Sequence, residues 1–300
     1  MDRSVELAGA CRYALRTFGT RAGIWGMVKE GTWLAAHVAL YPGGAVREGL
    51  SHGLSQGGAY RTDTLTLLRR SLVVTDPEAA GTPILLIHGI MDNRSVFTVF
   101  RRALRRRGFG VVHAVNYGLL TGDLRAAAHE LRGHVQRLCE ETGSDKVHIV
   151  GHSLGGVIAR YYVQRMGGSA HVDTLVTLGS PHSGTLGAYL LPTPLGRQLR
   201  PGSPPLAELE LPAPGCATRF LVVWSRMDEM IVPQRNARLE HPDLDVEQLE
   251  LRDVGHLSLP LDRRVVRWVV EALIRSDRRH HPWRRSSDQA LLGDAAHPAS

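Results

Sequence analysis

A short apolar run that turns into a helix around a serine is the feature that most constrains the fold of this 300-residue chain. Residues 147–150 predict a buried strand, and residues 154–166 predict a helix. Between them lies the sequence GHSLG at 151–155, whose two glycines allow the backbone to turn sharply because they have no Cβ. The segment predicts a strand–turn–helix unit that presents the hydroxyl of Ser153 above the edge of a sheet.

Strands and helices are expected to alternate along most of the chain. Short apolar runs predict strands, and the longer segments between them predict helices. This alternation indicates an α/β fold with a mainly parallel central sheet and helices on both faces, in which ligands bind at the carboxyl ends of the strands. The predicted strands are residues 65–75, 83–88, 111–116, 147–150, 172–178, 219–224 and 246–251, and the predicted helices are residues 95–107, 124–141, 154–166 and 263–274.

The composition divides the chain into three parts. Residues 1–58 contain two amphipathic segments and a glycine- and serine-rich linker, which predict an N-terminal helical extension. Residues 59–275 are the predicted α/β domain, and the polar, basic residues 276–300 are expected to be disordered. A proline- and glycine-rich insertion at about residues 183–215 predicts a cap or lid above the crevice, with an ordinary surface loop as the open alternative.

The net charge of +7 does not by itself indicate a nucleic-acid partner. The basic excess is almost entirely arginine, and its densest cluster, at residues 101–107, lies on a predicted amphipathic helix. A solvated outer face is the expected role of such a cluster, and attraction to anionic lipid or an acidic substrate is the alternative. We therefore predict no nucleic-acid partner.

No segment of the sequence predicts secretion or membrane spanning. The first residues lack a basic start followed by an unbroken apolar run, so no secretory signal is expected. Charged residues interrupt the apolar segment 23–41, which argues against a transmembrane helix. We expect a cytoplasmic location or a peripheral contact with a membrane through the tryptophans of the N-terminal helices. The cysteines lack metal-ligand spacing, and neither a metal nor an organic cofactor is predicted.

A serine nucleophile needs a base to accept its proton and a third group to orient that base. Asp228 lies on the loop after the predicted strand 219–224, and His256 lies on the loop after the strand 246–251. We therefore predict a catalytic triad of Ser153, His256 and Asp228. The sequence leaves Glu229 and Asp253 as alternative acids, and His88, His152 and His182 as alternative bases.

Attack on a carbonyl carbon also needs donors for the oxygen that becomes negative. The amide of Leu154 directly follows the nucleophile at a helix start, and the amide of Ile90 follows a predicted strand and a glycine. We expect these two amides to form the oxyanion hole. Apolar residues near the crevice predict a hydrophobic acyl site, for which the candidates are Met91, Tyr189, Leu190, Ile231 and Leu257.

These motifs, in this order, resemble those of bacterial lipases and esterases of the α/β-hydrolase family. The resemblance covers residues 83–274 and implies an acyl-enzyme mechanism of ester hydrolysis, with lipid esters as the expected substrates. Transfer of the acyl group to a different acceptor and a non-catalytic binding role are the alternatives. The motifs are the turn at 83–90, the elbow at 151–156, the sequence GSPHSGT at 179–185, the acid loop at 224–233 and the histidine loop at 255–256.

Overall fold

The computed structural model describes residues 81–90, 94–115 and 122–280, and within these ranges it contains a single six-stranded sheet. The strands are β1 (Ile84–Ile87), β2 (Val112–Val115), β3 (Val147–His152), β4 (Val172–Leu178), β5 (Arg219–Ser225) and β6 (Asp245–Leu251). They lie in the order β2–β1–β3–β4–β5–β6, and every neighbouring pair is parallel. The predicted parallel sheet is thus confirmed.

Six α-helices of the described residues connect or cover these strands. They are α1 (Thr98–Arg106), α2 (Leu124–Thr142), α3 (Leu154–Arg165), α4 (Pro194–Gln198), α5 (Pro204–Leu209) and α6 (Arg263–His280). Helix α6 continues past its predicted end at residue 274, so the segment expected to be a disordered tail begins as helix. None of the helices in the described ranges combines the length and the apolar composition that crossing a bilayer requires.

The N-terminal extension at 1–58 and the predicted strand at 65–75 lie outside the described residues. The membrane contact predicted for that extension therefore stays a prediction.

The sheet separates two apolar layers, which explains why its central strands are almost fully buried. Helices α1 and α6 cover one face, where Phe100 and Leu104 share a cluster with Val269. Helices α2 and α3 cover the other face, where Leu131 and Ile158 belong to a second cluster. Helices lie on both faces, as the alternating sequence pattern predicted.

The strand register brings the carboxyl ends of the central strands side by side. Ile87 of β1 pairs with Gly151 of β3, and His152 of β3 pairs with Leu178 of β4. At the other side of the sheet, the last residues of β5 and β6 also pair with each other. The loops that follow β1, β3, β4, β5 and β6 therefore leave the same edge of the sheet, and each of them carries one of the predicted motifs.

The insertion at 183–215 folds into a 3₁₀ turn at Leu186–Leu190 followed by α4 and α5. Its second half is fixed to the α2–α3 layer by polar side chains. Glu208 of α5 pairs with Arg125 of α2 and accepts the hydroxyl proton of Tyr161 of α3 in a hydrogen bond.

Arg160, in the middle of α3, is a second anchor for the insertion and is completely buried. Its guanidinium donates to the carbonyl oxygens of His182 at 3.2 Å and Leu209 at 2.9 Å, and it pairs with Glu210 at 3.3 Å. Desolvation lowers the pKa of Arg160 to about 10, which still leaves it protonated at neutral pH. The helix that follows Ser153 is therefore bonded both to the 179–185 motif and to the end of the insertion.

Candidate active site

Ser153 occupies a strained turn between β3 and α3. Its φ of 53° and ψ of −123° make it the one described residue other than glycine with a positive φ. The amide of Ser153 donates to the carbonyl oxygen of Leu178 at 2.9 Å, which holds the turn against β4. Such a conformation persists only where the surrounding structure imposes it, and it is typical of the serine elbow of α/β-hydrolases.

Gly155 brings the first turn of α3 against the turn that follows β1. A Cβ added to Gly155 would lie 2.5 Å from the carbonyl oxygen of Ile87 and 2.6 Å from that of His88. The amide of Leu154 belongs to the first turn of α3, where helix amides have no acceptor within the helix. The segments that carry the two predicted oxyanion donors, Leu154 and Ile90, are thus in contact through Gly155.

We expect Gly155→Ala to destabilise the protein by about 2 kcal/mol, because the added methyl group meets two backbone carbonyls that cannot rotate away. Gly133→Ala is the matched control, since Gly133 lies inside α2 and its added Cβ would meet only the flexible end of Arg137, at 3.5 Å. The control should gain about 1 kcal/mol from the better helix propensity of alanine. Urea unfolding of both variants measures the difference, and a neutral Gly155→Ala would contradict the close contact.

Asp228 lies three residues after the end of β5 and is fully buried. One carboxylate oxygen, Oδ1, accepts the amides of Met230 at 3.0 Å and Ile231 at 2.9 Å. The other oxygen, Oδ2, lies 2.7 Å from Nδ1 of His256. The side-chain amide of Gln234 donates to the backbone carbonyl of Asp228 at 3.0 Å. These bonds fix the carboxylate in one orientation toward the histidine.

His256 is buried, and its Nδ1 donates to the carboxylate of Asp228, so its basic nitrogen is Nε2. Its ring packs against that of His152, the residue before Ser153, with 4.9 Å between the ring centroids. A Cβ added to Gly179 would lie 3.1 Å from Oδ2 of Asp228 and 3.2 Å from Nδ1 of His256. Asp228 and His256 therefore lie over the end of β4, beside the turn at Ser153.

The two alternative acids occupy different positions. Glu229 accepts the backbone amide of His256 at 3.3 Å. Asp253 is exposed and forms an ion pair with Arg264 at 3.0 Å. The short bond to the imidazole ring belongs to Asp228, which supports the predicted choice among the three carboxylates.

Two of the alternative bases have local partners. Nδ1 of His88 lies 2.8 Å from the carbonyl oxygen of Gly89, within the turn that follows β1. His182 is fully buried, and its Nε2 lies 3.0 Å from the hydroxyl of Thr177. Burial, with the guanidinium of Arg160 nearby, holds the pKa of His182 well below its usual range, so this ring is neutral at pH 7.

The predicted acyl-site residues differ in how the structure places them. Tyr189 and Leu190 are 48% and 84% exposed on the 3₁₀ turn of the insertion, and Leu257 is half-buried beside the histidine. Met91 lies outside the described residues.

The structure gives Ile231 a different position from the one expected. Its side chain is 1% exposed and packs with Trp224 and Ala237 in a small cluster, while its amide supports Asp228. The exposed apolar side chain of this loop is its neighbour Met230. Ile231 therefore stabilises the acid loop instead of presenting an apolar surface to a substrate.

Thr185 supports the site but was not among the predicted residues. Its hydroxyl donates to the carbonyl oxygen of Met230 at 2.9 Å and accepts the amides of Val232 at 2.9 Å and Gly187 at 3.2 Å. The insertion is thereby tied to the acid loop. A threonine just before a helical turn is an N-cap signal, so the local bond to Gly187 could have been predicted, whereas the bonds to the acid loop could not.

The sequence is similar to those of thioesterases and lipases. The family model for palmitoyl protein thioesterase matches residues 83–203. A lysosomal thioesterase of Xenopus laevis is 25% identical over 130 residues, which cover 42% of this chain and 45% of the relative. A triacylglycerol lipase of Pseudarthrobacter phenanthrenivorans is 27% identical over 114 residues, or 36% of this chain and 35% of the relative. Both matches span less than half of the relative's length.

The fold is also that of solved lipases. The crystal structure of a Bacillus licheniformis lipase in its mature form matches with a TM-score of 0.56 and 16% identity, over 65% of this chain and 92% of that chain. The parallel sheet, the strained turn at Ser153 and this structural match together show that the chain has the α/β-hydrolase fold.

Proposed function

We propose that the protein is a serine hydrolase that cleaves carboxylic esters through an acyl-enzyme intermediate. The observation that carries the proposal is the 2.7 Å contact between Nδ1 of His256 and the buried carboxylate of Asp228, beside the strained elbow of Ser153. A buried histidine oriented by a carboxylate next to a strained serine is the arrangement that activates a hydroxyl as a nucleophile.

The first half of the proposed reaction forms the acyl-enzyme. Oγ of Ser153 attacks the acyl carbon while Nε2 of His256 takes the hydroxyl proton, and Asp228 stabilises the imidazolium. The carbonyl oxygen becomes negative and is stabilised by the amides of Leu154 and Ile90. The tetrahedral intermediate then collapses, and the alcohol leaves with the proton from His256.

The second half repeats these steps with water as the nucleophile. His256 takes a proton from the water, which attacks the acyl carbon, and the collapse returns the proton to Oγ of Ser153 as the carboxylic acid leaves. The same residues thus serve both halves, and no other group is needed for the proton transfers.

Apolar acyl chains are the substrates that the surroundings of the site favour. Tyr189, Leu190 and Met230 expose apolar surface on the insertion and on the adjacent acid loop. The insertion and the acid loop are joined by a hydrogen bond from the amide of Leu186 to the carbonyl oxygen of Val232, at 2.8 Å. Exposed apolar side chains on the insertion and the acid loop favour a substrate whose acyl chain loses contact with water on binding.

We expect the kcat/KM for nitrophenyl esters to rise with acyl chain length, by about tenfold or more from propionyl to octanoyl. Octanoyl has five more methylenes, and burying only two of them, at about 0.8 kcal/mol each, is enough for a tenfold rise. Stopped assays with a chain-length series measure this dependence, and Ser153→Ala provides the background rate. Activity confined to acetyl and propionyl esters would contradict the lipid-ester proposal.

Thioesters are the second candidate substrates, because the matching family model describes a thioesterase and the Xenopus laevis relative is a lysosomal thioesterase. Measuring kcat/KM for thioesters with the same acyl chains distinguishes ester hydrolysis from thioester hydrolysis. A kcat/KM that is at least about tenfold higher for the thioester of each pair, or about 1.4 kcal/mol in the activation free energy, would assign the protein to thioester hydrolysis.

A further inference from the structure

Two consecutive carboxylates, Asp228 and Glu229, hold His256 at different points. Asp228 contacts the ring, with Oδ2 at 2.7 Å from Nδ1. Glu229 contacts the backbone, with Oε2 accepting the amide of His256 at 3.3 Å. One dipeptide of the acid loop thus fixes both the side chain and the main chain of the proposed base.

The opposite side of the same residue is held from the serine elbow. Nε2 of His152 lies 3.2 Å from the carbonyl oxygen of His256, and because a carbonyl can only accept, His152 is the donor. The amide of Leu259 also donates to the carbonyl oxygen of His256, at 3.4 Å. His256 is therefore bonded at its amide, at its carbonyl and at its ring.

These bonds matter because the loop that carries His256 has little regular structure of its own. Residues 252–258 contain no strand or helix, so the sheet ladder that fixes β6 does not extend to the histidine. A displacement of the base by about 1 Å can lower the rate about 100-fold, because proton transfer requires the nitrogen within hydrogen-bond reach of the hydroxyl.

We infer that Glu229 is a positioning residue for His256. Its carboxylate holds the main chain of the histidine so that Nε2 stays directed at the nucleophile, while Asp228 orients the ring. This inference rests on the proposed function, in which His256 is the base. The negative charge of Glu229 also favours the imidazolium that forms during the attack, which adds an effect on the pH dependence.

Three variants distinguish the effect of the hydrogen bond from the effect of the charge and from that of removing any carboxylate near His256. Glu229→Ala removes both the acceptor and the charge, and Glu229→Gln keeps an acceptor oxygen without the charge. Asp253→Ala is the matched control, because Asp253 is a carboxylate on the same loop as His256 that pairs with Arg264 on the surface.

We expect Glu229→Ala to lower kcat by about tenfold or more while KM stays within about twofold, since substrate contacts are unchanged and only the base is displaced. Glu229→Gln should have a kcat within about threefold of the wild type. In the plot of kcat/KM against pH for this variant, the decline at low pH should begin at a lower pH, because the imidazolium has lost a negative neighbour. Asp253→Ala should behave as the wild type. A Glu229→Ala variant with an unchanged kcat would overturn the inference, as would a Glu229→Gln variant no better than Glu229→Ala.

A measurement that needs no substrate keeps the inference separate from the proposed function. The proton shared by His256 and Asp228 should give a low-field ¹H NMR resonance, which we expect to broaden or move in Glu229→Ala and to persist in Glu229→Gln and Asp253→Ala. An identical resonance in Glu229→Ala would overturn the positioning role. Failure of the wild type to hydrolyse any ester or thioester, with no labelling of Ser153 by a fluorophosphonate, would instead remove the proposed function.

Thermal unfolding by circular dichroism establishes that the compared variants are folded. If Glu229→Ala does not fold, Glu229→Leu replaces it, because leucine has a similar volume and cannot accept a hydrogen bond. The same loss of kcat and the same change in the low-field resonance are then expected, and their absence in Glu229→Leu would overturn the inference.

Discussion

Ser153→Ala is expected to lower kcat by about 10⁴- to 10⁶-fold, because removing the proposed nucleophile eliminates the proposed acyl-enzyme route and leaves only the contribution of binding and of the proposed oxyanion hole. Alanine retains the unfavourable positive φ at this position, so the stability should change little. Steady-state hydrolysis of the best ester from the chain-length series measures the loss. Intact-mass analysis after incubation with a fluorophosphonate should show one adduct on the wild type and none on the variant.

Ser183→Ala is the matched control for this experiment, because Ser183 is an exposed serine in the motif that follows β4. The control variant should keep its kcat within about twofold and should still form the adduct, as expected for an exposed surface substitution. Turnover by Ser153→Ala at more than about a hundredth of the wild-type rate would contradict the assignment of the nucleophile.

The fold was predictable because its signals are local and repeated. Apolar runs located the six described strands, and glycines on both sides of Ser153 located the elbow. The ends of elements were less well predicted. Strand β3 extends to His152, beyond the predicted end at residue 150, because its ladder with β4 continues through Gly151, a residue that weakens a strand pattern in the sequence.

The candidate site was predicted in part, and the difference lies in which way neighbouring side chains point. Asp228 and Glu229 are adjacent acids on one loop, so the sequence cannot determine which of them meets the ring of His256. In the structure, the course of the backbone after β5 determines which acid meets the ring. It directs Asp228 to the ring of His256 and Glu229 to its backbone amide. The same ambiguity explains why Ile231 was expected to contact a substrate. An apolar residue on a loop can face either the core or the surface, and Ile231 faces a small buried cluster.

The side chains that support the acid loop could not be predicted from spacing. Gln234 donates to the carbonyl of Asp228 from six residues away, and Thr185 bonds the acid loop from the start of the insertion. Nothing in a single sequence distinguishes a buried glutamine or threonine with such a role from an exposed one, because both residue types are compatible with the surface and with buried hydrogen bonds.

The most specific test of the acid is Asp228→Asn, for which we expect kcat to fall by about 10⁴-fold. The bonds around Asp228 explain the size of the effect. Because Oδ1 already accepts two amides, those of Met230 and Ile231, the single oxygen of asparagine should take that position and turn its NH₂ group toward His256. A donor facing Nδ1 requires the ring to carry its proton on Nε2 instead.

A histidine in that tautomer cannot accept the proton of Ser153, although the fold and the ring position are preserved. Asp253→Asn is the isosteric control at an exposed carboxylate, and its kcat should stay within about twofold of the wild type. Measuring kcat of Asp228→Asn from pH 5 to 10 distinguishes a changed tautomer of His256 from a changed pKa of His256. The wrong tautomer lowers kcat at every pH, whereas a changed pKa only moves the profile along the pH axis. An Asp228→Asn variant with more than about a tenth of the wild-type kcat would show that another carboxylate orients the base, and Glu229 would then be the first to substitute.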